Sequence, residues 1–216
     1  MIKFDGSTSY ALIPKEVIGN KKIFTVELSL RTTEKKIDES YWCKPTIFGA
    51  AISRGFGECN MTISEGYLSC WEGITSGEDV DAVSSYYVAD NKLFHCAIIC
   101  NGSTVKFFYK DKVFAQWDIY GETGNVDFYL GFVGPQNPGP NAYCQMDLYR
   151  CKIYSNAKDI NNLYIDSGKD DLLVSYGNRI SGNTLINEAN SNYNATMYNC
   201  VYKNSPNTVY SNLKTE

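Results

Sequence analysis

The sequence predicts an all-β domain: a sandwich of two antiparallel sheets with one short helix. Three observations carry that reading. Apolar and polar residues alternate at period two in segment after segment, no long helical pattern interrupts them, and turn residues recur about every 8 to 12 residues. Aromatic residues make up 14% of the chain, 17 of them Tyr, and such rings favour pleated, half-buried surfaces. At 216 residues the chain is long enough for one large core.

The opening stretch "FDGSTSYALIP" (4 to 14) sets a tight Asp-Gly turn before an apolar strand, with Phe4 and Tyr10 expected to pack inward. "IFTVELSLRT" (23 to 32) places Phe24, Val26, Leu28 and Leu30 on one side and Thr25, Glu27, Ser29 and Arg31 on the other, a strand with one wet face. "PTIFGAAIS" (45 to 53) reads as a buried strand, and "MTISEGYLSCW" (61 to 71) as a hairpin turning at Glu65-Gly66. "ITSGEDVDAVSS" (74 to 85) is polar and acidic and reads as a surface loop. Consecutive hairpins follow from "KLFHCAIIC" (92 to 100), through Asn101-Gly102 and Lys110-Asp111-Lys112, to Trp117, which reads as packing. "VDFYLGFVG" (126 to 134) and "YCQMDLYRCKIYS" (143 to 155) are strands around a stiff Gly-Pro loop, 134 to 140. "NAKDINNLYIDSG" (156 to 168) is the one plausible short helix. From Asp170 the chain is rich in Asn, Ser and Tyr, but "DLLVSY" and "ATMYNCVY" still carry apolar residues and read as a closing strand pair.

A formal charge of -4 from 24 acids and 20 bases argues against phosphate-backbone binding, so nucleic acid is not an expected partner. No apolar run approaches the ~18 residues of a membrane span, and "MIKFDG" lacks the plan of a secretory signal. The chain is read as virion-associated or as a fragment of an exported surface protein. Eight cysteines with no CxxC pair point to reduced, buried thiols rather than to bridges or zinc.

In order and spacing, several of these segments resemble the laminin-G-like, concanavalin-A-like jelly rolls. "FDGSTSYALIP" resembles the opening strand of that family and "IFTVELSLRT" its second. "LFHCAIICNGSTVKFFYKDKVFAQW" is similar to its central hairpins, and "MDLYRCKIYSNAKDINNLY" to its closing strand and short helix. The likeness covers about residues 4 to 165 and implies a jelly-roll sandwich, with one domain over 1–202 and a polar tail at 203–216. "NEANSNYNATMYNCV" (187 to 201) resembles a segment that in many relatives precedes the "FDG" strand. Here it would close the same sheet from the other terminus, the alternative being the start of a second repeat. Many relatives hold a rim Ca²⁺, for which Asp5 and Asp147 are the nearest counterparts, with an Asx-turn as the competing role for Asp5.

Sugar recognition needs an aromatic face for the C–H side of a pyranose and amide or carboxylate groups for its hydroxyls. Three places offer the mixture: Trp42 beside Tyr41, Trp71 beside Glu72, and Tyr86 and Tyr87 near Asn91. In a Tyr-rich sandwich, however, any one aromatic is more often core or sheet-surface packing. Catalysis is not expected. No E-x-D-x-x-E pattern is present, Glu78, Asp79 and Asp81 read as solvated charge, and His95, the single imidazole, reads as a strand residue. The sequons at Asn60, Asn101 and Asn194 read as coincidental. The leading expectation is a non-catalytic carbohydrate-binding module for a glycan or polysaccharide. A structural or adhesion domain of a phage tail or cell-surface assembly, binding protein, comes second, and a divergent glycan-cleaving enzyme third.

Overall fold

A computed structural model describes residues 1–37, 43–50, 57–74, 80–134, 142–165 and 170–203, with the backbone alone at residue 178. The strands are β1 (Ile2–Asp5), β2 (Tyr10–Ile13), β3 (Ile23–Thr32), β4 (Thr46–Gly49), β5 (Cys59–Ser64), β6 (Tyr67–Glu72), β7 (Val80–Tyr87) and β8 (Phe94–Asn101). They continue as β9 (Thr104–Tyr109), β10 (Lys112–Asp118), β11 (Phe128–Leu130), β12 (Gln145–Tyr154), β13 (Leu172–Ser181), β14 (Thr184–Asn187), β15 (Ala195–Tyr198) and β16 (Val201–Tyr202). Hydrogen bonding runs without a break along β10-β9-β8-β3-β12-β13-β14-β15-β2-β11-β4-β5-β6-β7, while β1 lies between β12 and β16.

Two layers result because β13 serves both. Its first half pairs with β12, its second with β14, and the register slips between Tyr176 and Ile180. Such a break bends a strand out of one sheet and into the next. Side chains of the first layer (Val26, Leu28, Ile98, Phe107, Ile153) and of the second (Ile13, Phe48, Met61, Leu68, Phe128) meet in one core. The thiols of Cys59, Cys70, Cys96, Cys100, Cys144 and Cys151 are free and buried, and act as small apolar groups.

The opening turn moves the chain between layers. Asp5 Oδ1 accepts from the backbone N–H groups of Ser7, Thr8 and Ser9 and from Ser9 Oγ, while Oδ2 accepts from Thr8 Oγ1. Gly6, at φ 75°, lies so close to Gln145 that an added Cβ would stand 2.9 Å from the Gln145 Cβ. Phe4 enters the core as expected, but Tyr10 does not. Ala11 and Ile13 take the inward positions of β2, so period two sends Tyr10 and Leu12 to the outer face. Burial alone would raise the Asp5 carboxyl, but the bonds from Thr8, Ser7 and Ser9 outweigh it and hold the pKa well below the carboxylate range. Asp5 therefore stabilises the fold above the unfolded pKa of about 3.9, and the contribution fades as pH falls through the lower folded value. Asp5→Ala should lower the melting temperature at neutral pH, with the gap to wild type narrowing in acid; a gap independent of pH would contradict this.

Four further expectations change. Residues 80–85 form most of β7 rather than a loop, because the exposed outer edge of β6 offers a ladder that outweighs the polar composition. Within 156–165, the described part of the expected short helix, the helical structure is one 3₁₀ turn, Ile160–Asn162, N-capped by Asp159. The closing pair becomes β13 to β16, in which β15 lies antiparallel to β2 and closes the second sheet from the C-terminal side. Finally, the supposed wet face of β3 is covered. Thr25, Glu27 and Ser29 are buried because residues 155–165 fold across them. Lys158 Nζ meets Glu27 Oε1 at 2.6 Å and the Ile165 carbonyl at 3.2 Å, and the Tyr164 N–H donates to Glu27. Trp117 packs edge-to-face on Phe107, as read from the sequence.

Candidate functional site

The first sheet is capped on its outside, and the outer face of the second sheet carries the aromatic residues. Register aligns Leu12 with Tyr129, Tyr129 with Gly49, Asn60 with Trp71, and Trp71 with Asp81, a row running from β2 to β7. Gly49 leaves a gap that the Asn60 side chain fills, since a Cβ there would lie 1.8 Å from Asn60 Oδ1. That oxygen accepts the Ala50 N–H at 2.8 Å, whereas Asn60 Nδ2 is buried without a hydrogen-bond partner among the described residues. Gly49→Ala should displace the amide, break this bond and cost about 1–3 kcal/mol in urea unfolding. An unchanged midpoint would refute the packing. Beside the row, Thr62 and Ser69 share a hydrogen bond of 2.7 Å.

At the β15 end the face becomes an aromatic ledge. Tyr10 stacks on its cross-strand partner Tyr198 with centroids 4.5 Å apart, and Tyr143 stacks on Phe132 at 4.2 Å. Tyr10 joins the two pairs, 5.4 Å from Phe132 and 6.5 Å from Tyr143. Tyr198 is 41% exposed, Tyr10 and Tyr143 are half-buried, and Tyr129, Val133 and Trp71 form the floor. Burial, then the Tyr198 and Tyr143 phenols, push the Tyr10 hydroxyl upward, and burial with Asp127 and neighbouring phenols takes Tyr129 to about 12. The raised Tyr10 and Tyr129 hydroxyls keep their protons near pH 7, and a phenol can both donate and accept. Behind Tyr143, Lys36 Nζ donates to the Gly6 and Tyr143 carbonyls and pairs with buried Glu34, tying the ledge to the opening turn. The far end of the face holds a smaller pair, Tyr67 and Tyr87 at 5.3 Å, with Lys35 over the Tyr87 ring.

The residues expected to touch sugar scatter. Trp42 lies outside the described residues. Trp71 points to the outer face but is 2% exposed beneath Tyr129, Phe132 and Val133. Glu72 is fully buried on the other side of β6 and accepts the Ile74 N–H through Oε2. Neither offers an exposed surface, so that expectation is corrected: strand alternation turned Glu72 inward and the row beside Trp71 closed over it. Tyr86 is half-buried against Tyr109 at 4.3 Å, whereas Tyr87 is 42% exposed. Asn91 is exposed and lines a separate cleft with Asp147. Tyr10, Tyr143 and Tyr198 were missed, although the inward Ala11-x-Ile13 and Ala195-x-Met197 pairs already assign Tyr10 and Tyr198 to the outer face.

The two carboxylates matched to calcium have protein partners. Asp5 serves its own turn, and Asp147 accepts from Arg31 Nε and Nη2, both at 2.8 Å. Among the described residues no group of three or more His, Cys, Asp or Glu side chains could hold a metal ion. His95 Nδ1 lies 2.8 Å from Ser29 Oγ with the Tyr164 ring 5.1 Å away. Burial, then Lys110 and Arg150, lower its pKa to about 4, so it is a neutral imidazole under the capping segment. The buried Asn60 side chain is not a glycosylation acceptor, and Asn101 Oδ1 caps its own turn.

No protein-family profile matches the sequence, and no curated protein matches it. Solved structures do match in shape. A candidate carbohydrate-binding protein from Bacteroides ovatus superposes with a TM-score of 0.69 at 15% identity, covering 94% of this chain and 60% of that one. Domains LG4-5 of the mouse laminin alpha1 chain give 0.54 at 14% identity, covering 74% of this chain and 43% of that one. The CBM40 domain of the Ruminococcus gnavus IT-sialidase gives 0.55 at 12% identity, covering 76% and 96%. The chain thus has the laminin-G-like, concanavalin-A-like jelly-roll fold.

Proposed function

We propose that the protein is a non-catalytic carbohydrate-binding module whose ligand lies on the ledge of Tyr10, Tyr143 and Tyr198. The observation that carries this reading is an exposed, stacked phenol, Tyr198, held flat by Tyr10 at 4.5 Å on a rigid sheet. A flat ring covers the C–H face of a pyranose, and neighbouring hydroxyls meet its polar edge. The ring is already ordered, so little conformational entropy is lost on binding. The Bacteroides and Ruminococcus neighbours, by the carbohydrate-binding roles their names give, support the same class of ligand.

Non-catalytic action is supported by how the carboxylates are used. A retaining glycosidase needs two carboxyl groups about 5 Å apart and open to the substrate. Glu27, Glu34 and Asp147 are instead engaged by Lys158, Lys36 and Arg31. Incubation with polysaccharides should release no reducing sugar, and release would revive the enzyme reading. Calcium should leave the melting temperature unchanged, because Asp5 and Asp147 already have partners; a rise abolished by Asp147→Asn would restore a rim ion. The deciding experiment for the module itself is a glycan array probed with wild type and Tyr198→Ala.

A further inference from the structure

Across the outer surface of the first sheet, beyond the capping segment, register sets Lys3 of β1 beside Asp147 of β12 and Asp147 beside Arg31 of β3. Lys203, just past β16, completes the wall of a cleft of about 350 Å³, with the polar side chains of Asn91 and Gln145 at its margin. That size is near the lower end of the roughly 300–1,000 Å³ typical of small-molecule sites. The protein carries a net charge of -4, yet this cleft gathers three cationic side chains against one carboxylate. Asp147 is committed to Arg31, which it holds through Nε and Nη2. Lys3 and Lys203 have no ion-pair partner among the described residues. The Arg31 side chain is 35% exposed, so its fork is held in place while part of it faces solvent.

We infer that this cleft binds the oxyanion of an acidic sugar, a carboxylate or a sulfate ester, through Lys3, Arg31 and Lys203. Arg31, held by Asp147, offers its remaining N–H groups in the planar geometry that suits an oxyanion. The two lysines supply point charges, and Asn91 and Gln145 can donate to or accept from flanking hydroxyls. The backbone beneath is fixed: the Asn91 N–H donates to the Thr32 carbonyl at 3.0 Å, and the Gln145 N–H to buried Glu34 at 2.9 Å. The cleft lies on the opposite sheet from the tyrosine ledge, so this inference goes beyond the proposed function and can fail without it.

The test is titration of isotope-labelled protein, read by amide chemical shifts, with three probes: an oligogalacturonate, a carrageenan oligosaccharide and a neutral galacto-oligosaccharide. The acidic probes should shift amides around Lys3, Arg31 and Asn91, and Lys3→Ala combined with Lys203→Ala should weaken them at least about tenfold, equivalent to about 1.4 kcal/mol. Raising salt from about 20 mM to about 300 mM should weaken them too, since these are solvent-facing charges. Response to the carboxylate or the sulfate probe alone identifies the oxyanion. Both lysines are exposed, so the melting temperature of the variant should match wild type, and Lys3→Glu provides a second variant of opposite charge. No shift at the cleft with either acidic probe, or shifts that survive both variants, would overturn the inference. A neutral probe shifting Tyr198 in the same series would leave the ledge standing.

Discussion

Glu27→Ala should lower the free energy of unfolding by about 3–5 kcal/mol, the cost of leaving a buried charge without its partner. The Glu27 and Lys158 side chains are 3% and 5% exposed, with 2.6 Å between the ammonium and the carboxylate. Removing the carboxylate leaves the ammonium over the Tyr154 ring and against the Ile165 carbonyl, under a segment that keeps water away. It also strips the Tyr164 N–H of its acceptor. Two costs therefore arise together, an unpaired buried cation and an unsatisfied backbone donor. Glu27→Gln should cost less, because the amide oxygen can still accept from Tyr164. The paired replacement Glu27→Leu with Lys158→Met should recover much of the loss, since a matched apolar pair often equals or exceeds a buried ion pair. Urea unfolding of the four proteins forms the cycle. A loss under about 1 kcal/mol for Glu27→Ala would mean that residues 155–165 do not seal the first sheet.

Tyr198→Ala should abolish most glycan binding, weakening it by roughly 30-fold, about 2 kcal/mol, as for a dominant aromatic contact. The same substitution should barely affect stability, because the ring is 41% exposed. Tyr10→Ala should weaken binding comparably and cost stability as well, since that ring contacts Tyr198, Tyr129, Phe132 and Tyr143. Tyr198→Phe separates the two parts of the interaction, keeping the stacking plane and removing one hydroxyl, so its loss should be smaller. Tyr120→Ala is the matched control: that ring is 71% exposed and, among the described residues, stacks on none of the ledge rings. Equal losses at Tyr120 and Tyr198 would point to nonspecific adsorption.

The layered architecture was legible because it follows from period two. Val26, Leu28 and Leu30 face the core as their spacing requires, and the Glu65-Gly66 hairpin turns where the sequence places it, both residues at positive φ. What alternation cannot reveal is what covers a face. Thr25, Glu27 and Ser29 look like a solvated stripe because their cover arrives more than a hundred residues later, through the Glu27–Lys158 contact. The burial of Trp71 is hidden from the sequence for the same reason. Its place on the outer face could be read from Cys70 and Leu68, but its burial depends on Phe132 and Val133 from elsewhere in the chain. The tyrosine ledge is assembled from residues 10, 132, 143 and 198, so no single window of sequence contains it. Only register, which pairs Tyr10 with Tyr198, brings it together.

The most direct measurement is binding of wild-type protein and Tyr198→Ala to an immobilised panel of neutral and acidic glycans, with folding of both verified by their melting temperatures. Selective capture by wild type of at least one glycan, lost in a Tyr198→Ala protein that melts like wild type, is the predicted result. Capture of no glycan by wild type, or identical capture by both proteins, would contradict a sugar site on the outer face of the second sheet.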